Sequence, residues 1–82
     1  MSPKPPVNED TLKSGLVEIE RKTFAFSLRE NSRGRLLRIT EETRGKRNSI
    51  IIPATGLAEF KSLLEEMVRA SQDIPEKNRP PE

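Results

Sequence analysis

The sequence contains neither cysteine nor histidine in its 82 residues. Disulfides, thiolate zinc sites and imidazole chemistry are therefore excluded. Aromatic side chains are limited to three phenylalanines. No apolar run approaches the length that spans a bilayer, and the N-terminus has no apolar signal region. The expectation is a soluble protein that stays where it is made, and the lack of cysteine fits a reducing cytosol. Residue types able to carry catalysis are scarce as well. Glu41-Glu42 and Glu65-Glu66 are adjacent pairs whose side chains diverge, which does not suit general acid–base work. Arg33-Gly34-Arg35 has too few glycines to cradle a phosphate as a P-loop does. No constellation for an enzymatic mechanism, a metal or a cofactor is present, and the chain reads as non-enzymatic.

What the sequence does have is unevenly distributed. Six of the seven prolines fall in residues 1–8 and 72–82. Segments of that composition bury too little surface to offset their ordering entropy, so residues 1–13 and 71–82 are expected to be disordered tails. The remaining 57 residues, Ser14 to Ala70, form one small domain. A core of that size supplies only about 3–5 kcal/mol without disulfides, metal or a partner chain, and here a partner chain is the remaining route. Charge is polarised too. The formal net charge is +2, but Arg21–Arg47 carries nine basic and three acidic residues and nets +6, while the rest nets −4. Such polarisation favours a polyanion at one surface.

Period-two alternation runs from Ser14 to Pro53 and predicts strands at Gly15–Glu20, Thr23–Glu30, Arg35–Thr43 and Asn48–Ile52. Val17, Ile19, Phe24, Phe26, Leu28, Leu37, Ile39, Ile50 and Ile52 share one face, with Phe24 and Phe26 expected in the core. Glu20-Arg21-Lys22, Asn31–Gly34 and Thr43–Lys46 are the short connections of an antiparallel meander, with Asn31, Gly34 and Gly45 able to accept positive φ. Pro53 ends the last strand, and Thr55 suits the N-cap of a helix over Gly56–Ala70. Leu57, Phe60, Leu63, Leu64, Met67 and Val68 occupy one arc of that helix. Packing on the sheet is the expected use of this arc, which is also wide enough to meet a second protomer. The fold class is α+β, a four-stranded antiparallel sheet followed by one α-helix.

The outward face of the sheet carries the candidate site. Alternation sets Ser27 and Arg29 beside Leu36, Arg38 and Thr40, while Arg21, Lys22, Arg33 and Arg35 crowd the turns. Guanidinium forks suit phosphate, and Ser, Thr and Asn side chains can reach sugars or base edges. Arg29, Arg35, Arg38 and Lys22 are the expected phosphate ligands, and Asn31 and Leu36 the expected base contacts. Nucleic acid is the expected partner. A protein-interaction or dimerisation module, whose basic face only keeps it soluble, is the alternative.

The stretch from Val17 to Val68 resembles a PUR repeat, the unit of the Pur-alpha family of purine-rich single-strand binding proteins. The likeness is carried by "ERKTFAFSLREN" at 20–31, "RGRLLRI" at 33–39 and "IIIPATGLAEFKSLLEEMV" at 50–68. The resemblance implies a ββββα unit, two of which pair through their helices in a Whirly-like arrangement. One repeat in a short chain looks like the bacterial type, so it implies a homodimer in the cytosol or nucleoid, with Leu57, Phe60, Leu63, Leu64 and Met67 at the dimer interface. It implies DNA or RNA contacts at Glu20, Arg21, Lys22, Arg29, Asn31, Arg35 and Arg38. The family's stacking aromatic falls on Leu36, and Glu20 replaces a polar uncharged residue. An aliphatic side chain lacks the π-face that contributes about 1–3 kcal/mol per base.

Overall fold

The computed structural model describes residues 9–75. Four strands, β1 (Asp10–Ile19), β2 (Lys22–Asn31), β3 (Gly34–Thr43) and β4 (Lys46–Pro53), form one antiparallel sheet in the order β1-β2-β3-β4. A single 3-10 turn, Ala54–Gly56, leads into helix α1 (Leu57–Asp73). The ββββα order is the one expected from the alternation. Strand β1 begins at Asp10 rather than at Gly15, and the helix runs to Asp73, past Ala70. Parts of both expected tails are thus ordered; their outer portions, 1–8 and 76–82, lie outside the described residues.

Each hairpin closes on two residues. Ile19 pairs with Lys22, Asn31 with Gly34 and Thr43 with Lys46. Two-residue loops need backbone of the opposite hand to match the right-handed strand twist. Arg44 (φ 48°) and Gly45 (φ 82°) supply it in the third turn, and Glu20 (φ 57°) in the first. In the second turn the positive φ belongs to Gly34, at 136°. Asn31 contributes differently from its expected role: its Oδ1 accepts the Arg33 backbone N–H at 2.8 Å, an Asx turn.

Strict pairing keeps the two faces distinct. Val17, Phe24, Phe26, Leu28, Leu37, Ile39, Ile50 and Ile52 share the apolar face through the register. The expected core is nevertheless not formed among the described residues. No described side chain is buried, and Phe26 and Ile50 keep 37% and 55% of their surface exposed. The reason lies in the helix, which meets the 3-10 turn and makes no extensive contact with any strand. Its apolar arc therefore does not pack on its own sheet, contrary to expectation, and Leu63, Leu64 and Met67 are more than half exposed. The radius of gyration is 17.4 Å, against roughly 12 Å for a compact chain of this length.

The helix start also differs from expectation. Thr55 lies inside the 3-10 turn, and Gly56 occupies the N-cap without a side-chain hydrogen bond. Pro53 (φ −59°, ψ 140°) ends β4; Pro is tolerated there because β4 is an edge strand. The C-terminal turn closes with the Ile74 N–H donating to the Ala70 carbonyl at 3.0 Å.

The third turn gives a direct test of this architecture. Space around Gly45 is open, so only its backbone conformation resists a side chain. Gly45→Val should cost about 1–3 kcal/mol, because a β-branched residue is strained at positive φ. A denaturation midpoint unchanged from the parent protein would contradict the turn.

Candidate nucleic-acid interface

The face opposite the apolar one is built in cross-strand rows. Thr11, Arg29, Leu36 and Pro53 form one, and Ser14, Ser27, Arg38 and Ile51 the next. Leu16, Ala25, Thr40 and Ser49 follow, then Glu18, Thr23, Glu42 and Arg47. The surface is therefore graded along the strands. Arg29 and Arg38 mark the end near the β2–β3 turn, while at the other Arg47 stands beside Glu42, with Glu18 at the far edge of the same row. A shallow concavity joins the two ends, lined by Leu16, Arg29, Arg38, Thr40, Arg47 and Ser49 among others.

Local contacts hold these side chains in different ways. Arg29 donates from Nε to Ser27 Oγ at 2.9 Å and from Nη1 to Glu9 Oε1 at 3.0 Å. Thr40 Oγ1 and Ser49 Oγ lie 2.8 Å apart and tie β3 to β4 across the face. Arg38 is half-buried, with Nε shielded from solvent and without a hydrogen-bond partner among the described residues. Arg38 and Arg47 have no ion pair among those residues. Leu36 is half-buried on this face, opposite Arg29 and Pro53.

The expected site residues divide into three groups. Arg29, Leu36 and Arg38 lie together on the polar face. Arg21 and Arg33 are exposed in turns, and the Asn31 side-chain Oδ1 is engaged in its own turn. Lys22 and Arg35 lie on the other side of the sheet. Lys22 shares the face of Phe24 and pairs with Glu41 at 3.0 Å, and Arg35 shares the face of Leu37 and pairs with Glu30 at 3.5 Å. The grouping of Lys22 and Arg35 with Arg29 and Arg38 is thereby corrected. The sequence reading overlooked Arg47 and Ser49, although alternation with Ile50 and Ile52 already placed both on the polar face. Glu9 was assigned to a tail and gave no signal. Among the described residues no group of acidic side chains could hold a metal ion, and no helix is long and apolar enough to cross a membrane.

An open antiparallel sheet with one arginine-bearing polar face, followed by an amphipathic helix, defines a single-domain ββββα unit. The profile of the family described as "PurA ssDNA and RNA-binding protein" matches residues 2–80, and the chain belongs to that family. It is 39% identical over 61 residues to "Transcription factor Pur-alpha 1" of Arabidopsis thaliana, covering 74% of this chain and 21% of that protein. It is 28% identical over 87 residues to human "Purine-rich element-binding protein gamma", covering 82% of this chain and 25% of that protein. The chain thus spans about a quarter or less of these relatives' length. The family is described by the nucleic acids it binds and not by a reaction.

Leu36 is the position where side-chain chemistry on this face can be read out most simply. Leu36→Phe adds a π-face without changing charge, and should strengthen single-strand binding by about 1 kcal/mol, roughly fivefold. Fluorescence anisotropy on a labelled oligonucleotide measures the gain; a lower melting temperature without added affinity would show instead that Leu36 packs within the protein.

Proposed function

We propose that this protein binds single-stranded DNA or RNA without catalysis, as a homodimer that lays the strand across its polar sheet face. The observation that carries the reading is the register placing Arg29, Arg38 and Arg47 on one face. Backbone neutralisation by these arginines supplies affinity, Ser27, Thr40 and Ser49 add contacts to sugars and phosphates, and Leu36 packs against a base. Membership of a family described as binding single-stranded DNA and RNA supports this assignment.

The homodimer follows from the uncovered apolar surface. Exposed apolar area of this extent marks an interface, and chains this small gain stability from oligomerisation. A second copy supplies a complementary pair of surfaces, its own sheet face and its own helix arc. Leu57, Phe60, Leu63, Leu64 and Met67 then meet the partner in a Whirly-like arrangement that leaves both polar faces open.

Two experiments test the two halves. Each phosphate neutralised on a single strand contributes about −0.7 to the slope of log K against log salt, so one face should give about −1.5 to −2. Arg38→Ala should weaken binding about tenfold, as expected for a lost charged hydrogen bond. Lys22→Ala and Arg35→Ala should change it little. A slope flatter than about −0.7, or equal losses in all variants, would remove the polar face as the binding surface. No retention of DNA or RNA strands would favour a protein-interaction module.

For the dimer, sedimentation should give about twice the 9.3 kDa chain mass, and the melting temperature should rise with protein concentration. Phe60→Ala removes a large side chain from the interface and should cost about 3–5 kcal/mol. A stable monomer with a concentration-independent melting temperature would refute the assembly.

A further inference from the structure

Of the three arginines on the polar face, Arg29 alone is engaged by a carboxylate among the described residues. Glu9 Oε1 lies 3.0 Å from Arg29 Nη1, and the two side chains keep only 21% and 30% of their surface exposed. The partners are twenty positions apart in sequence, so the contact is made by tertiary structure and not by local chain geometry. A break in the β1 register produces it. The pairing shifts between Thr11 and Lys13, so that Thr11 rather than Leu12 stands opposite Arg29. Continuous alternation from Ser14 would place Thr11 and Glu9 on the apolar side. The bulge reverses that parity and turns Glu9 onto the polar face, which is a recognised use of a bulge next to a site.

We propose that Glu9 is a built-in competitor for nucleic-acid phosphate: its carboxylate occupies Arg29 in the free protein, is displaced by the bound strand, and thereby sets the affinity of the face. A carboxylate and a phosphodiester offer a guanidinium the same anionic oxygen acceptors. Ser27 holds Nε from the same strand, so Glu9 can leave while the guanidinium stays aimed outward. Partial shelter from solvent weakens ionic screening of the pair, and the competition therefore persists at physiological salt. An isolated anion gains one contact and loses the displaced pair. A strand that also reaches Arg38 and Arg47 gains contacts with no such loss, so the device selects polyanions over single anions.

The proposal rests on the single-strand reading, and its test separates the two. Binding of a labelled mixed-sequence single-stranded oligonucleotide is measured by anisotropy across a salt series for the full chain and for Glu9→Gln, Arg29→Ala and the double variant. Melting temperatures confirm that each variant is folded. Glu9→Gln should bind at least threefold more tightly, with a salt slope steeper by up to about 0.7 because Arg29 then neutralises a phosphate without freeing a carboxylate. On the Arg29→Ala background, Glu9→Gln should bring no gain through this pair beyond the small effect of removing one negative charge. Unchanged or weaker binding by Glu9→Gln, with the parent protein binding well and Arg29→Ala impaired, overturns the competitor role and makes Glu9 a support for Arg29. Failure of every variant to bind overturns the nucleic-acid reading itself, and the competitor role with it.

Discussion

The apolar side of the sheet, running from Val17 through Phe24 and Ile39 to Ile50, is left uncovered by the described residues of its own chain. A sheet buries one face against another layer or leaves it in water, and the one element available, α1, leads away from the strands. The rest of the molecule is arranged around this fact. Because Phe26 and Ile50 remain exposed, the stability of one chain rests on strand pairing and tight turns. Those alone support marginal structure. The same register that gathers the apolar side chains also gathers Arg29, Arg38 and Arg47 on the reverse. The uncovered face and the proposed binding face are therefore two consequences of one alternation, and a one-residue slip would destroy both.

Charge on the polar face is graded rather than uniform. Arg29 and Arg38 stand in neighbouring rows near the β2–β3 turn, whereas Arg47 is flanked by Glu42 and lies in the row of Glu18. A uniformly basic face would attract any polyanion along any path. On the proposed reading, Glu42 and Glu18 temper the attraction in the row of Arg47, so that a strand is drawn first to Arg29 and Arg38 and reaches Arg47 as the weaker contact, much as like-charge juxtaposition suppresses unwanted partners. Lys22 and Arg35 add to net charge, but their ion pairs with Glu41 and Glu30 lie across the sheet. They act on long-range attraction more than on contact.

The number and order of the strands and the places of the turns were legible in the sequence because alternation of period two and turn-forming residues are local signals, whereas the ends were not: β1 starts at Asp10 and β4 at Lys46, ahead of the expected Gly15 and Asn48. Even the placement of Lys22 and Arg35 was available there: Lys22 is two residues from Phe24 and Arg35 two from Leu37, so parity puts both on the apolar side. Proximity to the turns obscured it, since charged residues beside a turn read as solvated whichever face they occupy. Arg47 gave a weaker signal because it precedes the apolar alternation of Ile50 and Ile52, beyond the expected start of the strand at Asn48. Two features had no local signal. The bulge near Leu12 depends on how two strands settle against each other, and a polar stretch such as Asn8–Lys13 carries no apolar pattern to fix register. The direction of α1 was equally hidden: an amphipathic arc records that something covers it, not which chain supplies the cover.

On the proposed reading, Leu36 and Glu9 together tune the polar face toward modest affinity. An aliphatic side chain at the position of the family's stacking aromatic forgoes a favourable base contact. Glu9 neutralises part of the remaining positive charge. Neither change alters the fold, and both leave electrostatic backbone contact as the dominant attraction, which is weak for a single face and sensitive to salt. The proposed dimer offsets this through valency. Two polar faces joined rigidly convert the second contact of one strand into an intramolecular step, raising overall affinity without any new contact, provided the strand reaches both faces. A strand too short to bridge them engages one face only and remains weakly held. Length of the single strand, more than its sequence, is then what the proposed dimer discriminates, and that discrimination depends on the same uncovered apolar surface through which two copies are proposed to pair.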